Sequence, residues 1–397
     1  MTLPLDGIMV IDLTQALAGP YATMLLGDMG ADVIKIEMPG AGDQSRGWGP
    51  PFLNGESAYY LSTNRNKRSL TLDLSQPAGQ EIMWELLSRA DIFITNIPRV
   101  ESLRKIRLDY ETLHKAFKRL IMCMISGFGL DGPYAGRPGY DVIAQGMSGT
   151  MSLTGPVDGE PYRFPTAIAD ITAGIYAVIG ILGALLTRQR TGEGQLIDIS
   201  LLDSQITWLS YVAGSYFATG ERPKRHGNQH PSIVPYQPFK ARDKYFIVAV
   251  GSEKLWRQFC EALGLDDTLM NDPRFATNAA RQAHREALIA ILSELFLTED
   301  AAHWLEVLSQ AGIPCGPINE VDELFADPHI QARHAVVELE HPTIGMVQSI
   351  ANPVRYSDTP LAYRRHPPRL GEHTEEILLQ LGKSREDIET LRQAGVI

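Results

Sequence analysis

The first 130 residues alternate short apolar runs with helix-like ones, and no other feature limits the fold of this chain as strongly. Ile8–Leu13, Val33–Glu37, Leu70–Leu74, Ile92–Thr95 and Leu120–Ser126 read as strands. Pro20 opens a helical stretch that reaches Met29 and stops at Gly30, as a C-terminal glycine does. Pro77–Arg89 reads as a second helix. The rhythm predicts an α/β fold, a mostly parallel, Rossmann-like sheet with helices on both faces.

Further along, residues 170–190 read as one long buried helix, Gln195–Ser200 as a strand, and a helix starts at Leu202. Thr219–Pro238 is rich in Gly, Pro, Arg and His and breaks the pattern. Tyr245–Val250 is a strand, Ser252–Leu263 a helix, and residues 273–312 are helical with amphipathic spacing. The expected domains are therefore 1–220, a large Rossmann-like one, and 225–325, a smaller α+β one. A C-terminal segment, 330–397, has a strand pattern near Val347–Val354 and a helix over Thr374–Leu381.

Composition narrows the function. The 397 residues are 44% apolar and 21% charged, which suits a globular enzyme with a large core. A net charge of −11 and the lack of a long Lys/Arg run speak against nucleic acid as a partner. An anionic substrate would need a local basic pocket. Cys123, Cys260 and Cys315 are far apart and form no CxxC, so neither a disulfide framework nor a metal site is indicated. Asp6 and Asp12 lie where a signal peptide would be basic. The nearly uncharged stretch 172–186 has 15 residues, against the roughly 20 of a membrane span. These features predict a cytoplasmic protein with no membrane partner.

That stretch follows one carboxylate, Asp170, and carries Gly174, Gly180 and Gly183 at near-helical spacing. Small residues on one helix face let another backbone come close. Asp170 then stands at or near a helix N-terminus, where free N–H groups and the helix dipole favour a negative charge. An N-cap is the ordinary use of Asp at such a place, and a catalytic carboxylate is the other.

Gly127-Phe128-Gly129-Leu130-Asp131-Gly132 matches GxGxxG after a predicted strand. Pro133, Gly136 and Pro138 follow it, so no helix opens there to receive a pyrophosphate, and a dinucleotide cofactor is not expected. His226 and His230 are four apart, but Gly227, Asn228 and Pro231 forbid the helix that would bring them together on a metal. Asn64-Arg65-Asn66-Lys67-Arg68-Ser69 reads either as a solvated turn or as a phosphate clamp. Asn96 and Thr14-Gln15-Ala16 end predicted strands, where open α/β sheets bind ligands.

Many short motifs in one order give a resemblance over essentially the whole chain. They are Pro4-Leu5-Asp6-Gly7-Ile8, Ala18-Gly19-Pro20, Gly30-Ala31-Asp32-Val33-Ile34-Lys35-Ile36-Glu37, Gly42-Asp43 and Asn66-Lys67-Arg68-Ser69. Later come Ala169-Asp170, Gly192-Glu193-Gly194-Gln195, Gly312-Ile313-Pro314-Cys315-Gly316-Pro317 and Leu370-Gly371-Glu372-His373-Thr374. The chain resembles the class III CoA-transferases, the family of formyl-CoA:oxalate and carnitine CoA-transferases. The resemblance implies a large domain built from both chain ends, a smaller domain, and an interlocked homodimer.

It also implies a function: transfer of CoA from an acyl-CoA thioester to a carboxylic acid, with no tightly bound cofactor. The family's catalytic aspartate falls on Asp170. Gln15, Leu17, Ala18, Leu72, Asn96 and Arg104 or Lys105 fall on its CoA site, with Arg137 as a further phosphate candidate. Tyr140 and Asp141 match an aromatic–acid pair near the catalytic aspartate. Asn96-Ile97-Pro98-Arg99-Val100 departs from the family's usual Asn-Phe-Arg-Pro-Gly, which leaves Arg104 and Lys105 as alternatives. The alternative function on this fold is a 2-methylacyl-CoA racemase. Such an enzyme pairs the aspartate with a histidine, and Tyr140 stands where that histidine would be. A small dicarboxylate pair, including succinyl-CoA, is the expected substrate class. Arg225, His226, His230 and Tyr236 are candidates for holding a second carboxylate.

Overall fold

The computed structural model describes residues 2–397 and divides into two compact units. The first contains residues up to 151, 163–221 and 332–397; the second contains 152–162 and 222–331. Residues 152–162, which the sequence reading assigns to the amino-terminal domain, thus belong to the second unit. Their run of Gly, Pro and Asp carries no apolar period that would assign them to either.

Six strands form the sheet of the first unit: β1 (Met9–Leu13), β2 (Asp32–Glu37), β3 (Lys67–Thr71), β4 (Ile92–Thr95), β5 (Ile121–Ser126) and β6 (Leu196–Ser200). Their order is β3-β2-β1-β4-β5-β6 and every pair is parallel. This is the doubly wound Rossmann order, so the strand order reverses between β1 and β4. Leu13 pairs with Thr95 there, at the carboxyl ends of both strands.

The period of two along β1 separates two cores. Val10 packs with helices α1 (Ala18–Asp28) and α4 (Ile168–Thr191), whereas Ile11 packs with α2 (Pro77–Arg89) and the C-terminal helices Thr374–Gln380 and Arg385–Gln393. The chain's last residues therefore cover one face of the first sheet. Helix α3 (Asp141–Met147) precedes α4.

Strand β3 begins three residues before its expected position. Its first residues, Lys67 and Arg68, are buried ions, and an apolar pattern does not register them. Helix α4 runs over 24 residues and ends at Gly192, whose φ of +80° suits glycine. By length and composition alone it could cross a membrane, but half of the apolar window is buried, with Ala173, Ala177 and Ile181 in the core. Two of its three glycines serve close approach. A Cβ on Gly174 would lie 2.8 Å from Ala18 O, and one on Gly180 would lie 2.9 Å from Ile197 Cγ2; Gly183 has open space.

The second unit packs helices around an antiparallel sheet of β7 (Tyr236–Lys240), β8 (Tyr245–Ala249) and β9 (Cys315–Pro317). Its core joins Phe239, Phe246, Trp256, Phe259 and Phe296. The helical pattern over 273–312 resolves into three helices, Asn278–Ala283, Arg285–Phe296 and Ala301–Gln310.

Candidate active site

The reversal of strand order positions the first part of the site. After β1 the chain turns through Thr14-Gln15-Ala16 into α1. Asn96, just past β4, accepts from Gln15 N at 3.1 Å and donates to Gln15 O at 2.8 Å. Ala16 has φ +69°, a left-handed conformation that a β-carbon disfavours. Its N–H goes to Asp43 Oδ1 at 3.0 Å. The turn leads into Leu17, which offers α1 no side-chain cap, so the helix opens with its first N–H groups uncapped. Gly19 is required: a Cβ there would lie 2.3 Å from Thr14 Cβ.

Helix α4 begins differently. Its N-cap residue, Ala167, supplies no side chain. The carboxylate of Asp141 does so from α3, accepting from Ala169 N at 2.7 Å and more loosely from Asp170 N at 3.4 Å. Gln145 donates to the other Asp141 oxygen at 2.6 Å, and its own oxygen accepts from Phe164 N at 2.8 Å. An acid at an N-terminus satisfies N–H groups and suits the helix dipole. The bland reading of Asp170 therefore describes Asp141 instead.

Asp170 itself, in the first turn of α4, makes no hydrogen bond or ion pair through its carboxylate among the described residues. Burial first, and the Asp141 charge second, push its pKa up to about 7. Tyr59, on the short helix Ala58–Thr63, senses the same charges. Burial and the carboxylates of Asp170, Asp141 and Asp43 push its pKa up to about 12, so the phenol remains a proton donor at neutral pH. Its ring meets Trp48 edge to face at 4.9 Å. Sequence reasoning missed Tyr59, Trp48 and Asp43, because only tertiary proximity links them to Asp170. The Gly42-Asp43 match was the one available signal.

The basic run is not a phosphate clamp. Arg65 is buried and holds both oxygens of Asp28, at 2.9 and 2.7 Å, with Ser349 Oγ and Ile350 O on its remaining nitrogen. Lys67 is buried on Asp12, Pro20 O and Asn64 Oδ1. Arg68 pairs with Asp32 and Glu376 and donates to Gln380. A buried guanidinium or ammonium already saturated by partners within the fold has nothing left for a ligand.

Other candidates lie as follows. Gln15 is exposed, Leu17 half-buried, and Ala18 and Leu72 buried, Leu72 within the core. Arg104 and Lys105 are exposed in the last turn of the helix Val100–Lys105, and Arg104 lies loosely beside Glu111 at 3.9 Å. Arg137 is exposed beside Tyr134 and Phe128. Tyr140 is 65% exposed and directly precedes the buried Asp141. The segment after Gly127 stays non-helical until Asp141, so the GxGxxG does not open a helix. In the second unit Arg225 is occupied by the carbonyls of Pro156 and Gly159, and is not a free carboxylate ligand. His230 Nδ1 accepts from Ser232 N and Ile233 N, both at 3.1 Å, which leaves Nε2 to carry the proton.

The fold is thus a doubly wound sheet with an open helix terminus at its switch point, and the same unit holds a half-buried carboxylate, Asp170, with no counter-ion among the described residues. The chain belongs to CoA-transferase family III, whose model matches residues 5–374. It is 43% identical over 396 residues to the succinyl-CoA:glutarate CoA-transferase of Mus musculus, covering 99% of this chain and 90% of that protein. It is 44% identical over 384 residues to the succinate–glutarate CoA-transferase of Agrobacterium fabrum, covering 95% and 96%. A crystal structure of a CAIB/BAIF family protein from Brucella suis superposes with a TM-score of 0.87 at 43% identity, covering 96% of this chain and 100% of that one. The chain is accordingly a CoA-transferase.

Proposed function

We propose that this enzyme moves CoA between small dicarboxylic acids, with succinyl-CoA as donor and glutarate as the first acceptor to test. The names of the mouse and Agrobacterium relatives support that pair. The observation that carries the mechanism is the Asp170 carboxylate, half-buried, without a cation, and raised to a pKa of about 7. A carboxylate of raised basicity is a better nucleophile once ionised.

Asp170 attacks the thioester carbonyl, and CoA thiolate leaves, giving a mixed aspartyl anhydride. The thiolate then attacks the aspartyl carbonyl, which releases the donor acid and leaves an aspartyl-CoA thioester. The acceptor carboxylate attacks that thioester, again expelling thiolate. The thiolate finally takes the acceptor's acyl carbon, and Asp170 is restored as a carboxylate. No proton or electron is consumed. Each step builds an oxyanion, and the uncapped N–H groups of α1 and the Tyr59 hydroxyl are its donors. Gln15, Leu17, Ala18, Leu72 and Asn96 form the CoA site, and Arg104, Lys105 and Arg137 meet the phosphates.

We further propose the interlocked homodimer. Its support is the apolar surface of the first unit: Ile179, Leu186, Tyr211 and Phe217 are 56%, 62%, 67% and 80% exposed in the single chain. A donor–acceptor screen read by mass spectrometry tests the reaction. Formation of glutaryl-CoA and succinate from succinyl-CoA and glutarate supports it. Deuterium wash-in at the α-carbon of a 2-methylacyl-CoA, without transfer, supports the racemase instead.

A further inference from the structure

One buried ion pair differs from the others in what it holds. Lys35 Nζ and Asp43 Oδ2 lie 2.8 Å apart, both side chains fully enclosed. The ammonium also donates to Thr14 O at 2.8 Å. The second carboxylate oxygen of Asp43 accepts from Ala16 N, and from Ser45 N and Oγ at 2.9 and 2.8 Å. The pair therefore grips the carbonyl before Gln15 and the N–H after it. Asp43 is itself braced, since its N–H donates to Glu37 Oε1 at 3.0 Å and Arg46 holds both oxygens of Glu37. Arg65–Asp28, equally buried, instead ties α1 to the segment 349–350 and to Asn66.

We propose that Lys35 and Asp43 are positioning residues for the acyl-CoA substrate. Their ion pair clamps the Thr14–Ala16 turn in its left-handed form, so that Gln15 and the open first turn of α1 stay aimed at the thioester. This rests on the reading of that turn as part of the acyl-CoA site. An unclamped turn would relax, because alanine gains nothing locally from a positive φ. Substrate would then have to order the turn on binding, which weakens apparent affinity.

The test is steady-state kinetics of Asp43→Asn and Lys35→Met, with Asp28→Asn as a control of equal burial. All three are expected to lose thermal stability. The Michaelis constant for succinyl-CoA does not depend on how much enzyme is folded. It should rise at least about tenfold in Asp43→Asn and Lys35→Met, and stay within about twofold in Asp28→Asn. Lys35→Arg, which keeps a cation and donors, should recover part of the loss. Unchanged constants in folded Asp43→Asn and Lys35→Met, or an equal rise in Asp28→Asn, overturn the proposal.

Hydrogen exchange on the unmutated protein needs no variant. The Ala16 amide should exchange at least about 10³-fold more slowly than a free peptide. Rapid exchange at Ala16 overturns the clamp even if every variant misfolds. If the unmutated protein transfers CoA from no dicarboxylyl-CoA, the substrate reading fails, and the exchange measurement still judges the clamp.

Discussion

Asp12 and Asp43 lie under the switch-point turn with lysines as partners, whereas Asp170 and Asp141 lie at the head of α4 with none among the described residues. Burial works against the charge of both Asp12 and Asp170. At Asp12, Lys67, Lys35 and the hydroxyls of Thr14 and Thr23 outweigh it and hold the pKa down, to about 2. At Asp170 nothing offsets it, and the neighbouring Asp141 adds to it. Equal chemistry thus has two outcomes: paired carboxylates fix the backbone, and the unpaired one keeps a raised basicity, which the proposed mechanism uses. The same contrast divides the cations. Arg65, Lys67 and Arg68 are saturated within the fold, while Arg104, Lys105 and Arg137 point to solvent.

Breaking the unpaired carboxylate should have the largest effect. Asp170→Ala and Asp170→Asn are expected to lose at least about 10³-fold in turnover while CoA still binds, as for loss of a covalent nucleophile. Turnover and calorimetry together read this; a tenth of the activity remaining would erase the distinction between the two groups.

Breaking a paired carboxylate should instead cost stability. Asp12→Asn leaves Lys67 buried beside Pro20 O and Asn64 Oδ1 without its anionic partner, at a cost of about 3–5 kcal/mol. Asp12 also accepts from Thr14 N and Oγ1 under the turn, so the folded fraction should keep its turnover while its Michaelis constant for acyl-CoA rises. Denaturant titration with kinetics on the same samples checks both halves.

Acidity separates the groups by sign. Folded protein binds the Asp170 proton more tightly than the unfolded chain does, so ionising it costs stability as pH climbs from about 4 to about 7. Asp170→Asn escapes this cost. It should melt higher than the unmutated protein at pH 8, by an equivalent of about 1–2 kcal/mol after allowance for partial exposure, and equally at pH 4. Asp12 behaves oppositely: its contribution is present above about pH 4 and lost as pH falls toward 2. For the same reason kcat/KM should rise about tenfold between pH 6 and pH 8 through the ionisation of Asp170. Asp141→Asn should move that midpoint down.

The smallest effects belong to the exposed cations. Alanine at Arg104, Lys105 or Arg137 should raise the Michaelis constant for acyl-CoA by up to about tenfold and leave turnover alone, since the nucleotide end binds ground and transition states alike. Arg65→Ala should instead unfold the protein before it touches the constant.

Sequence carried the fold further than the site. β4 and α2 stand at the bounds read from the sequence, Ile92–Thr95 and Pro77–Arg89. β3 shifted, because its inward positions are ions whose partners lie far along the chain, Asp12 for Lys67 and Glu376 for Arg68. Asp170 was legible as the head of an apolar helix with small residues. Its isolation from any cation was not, because it depends on where Asp141, Tyr59 and the lysines fall in space. Local charge density pointed to Arg65–Arg68 for the phosphates, and only pairing shows that those groups are spent.

The most direct test is to trap the covalent state. The protein would be incubated with succinyl-CoA, quenched with hydroxylamine or borohydride, digested and mapped by peptide mass. The account predicts a hydroxamate or a reduced side chain at Asp170, and none in Asp170→Asn. A label on Cys123, Cys260 or Cys315, or an unmodified Asp170 in an enzyme that is turning over, would contradict it.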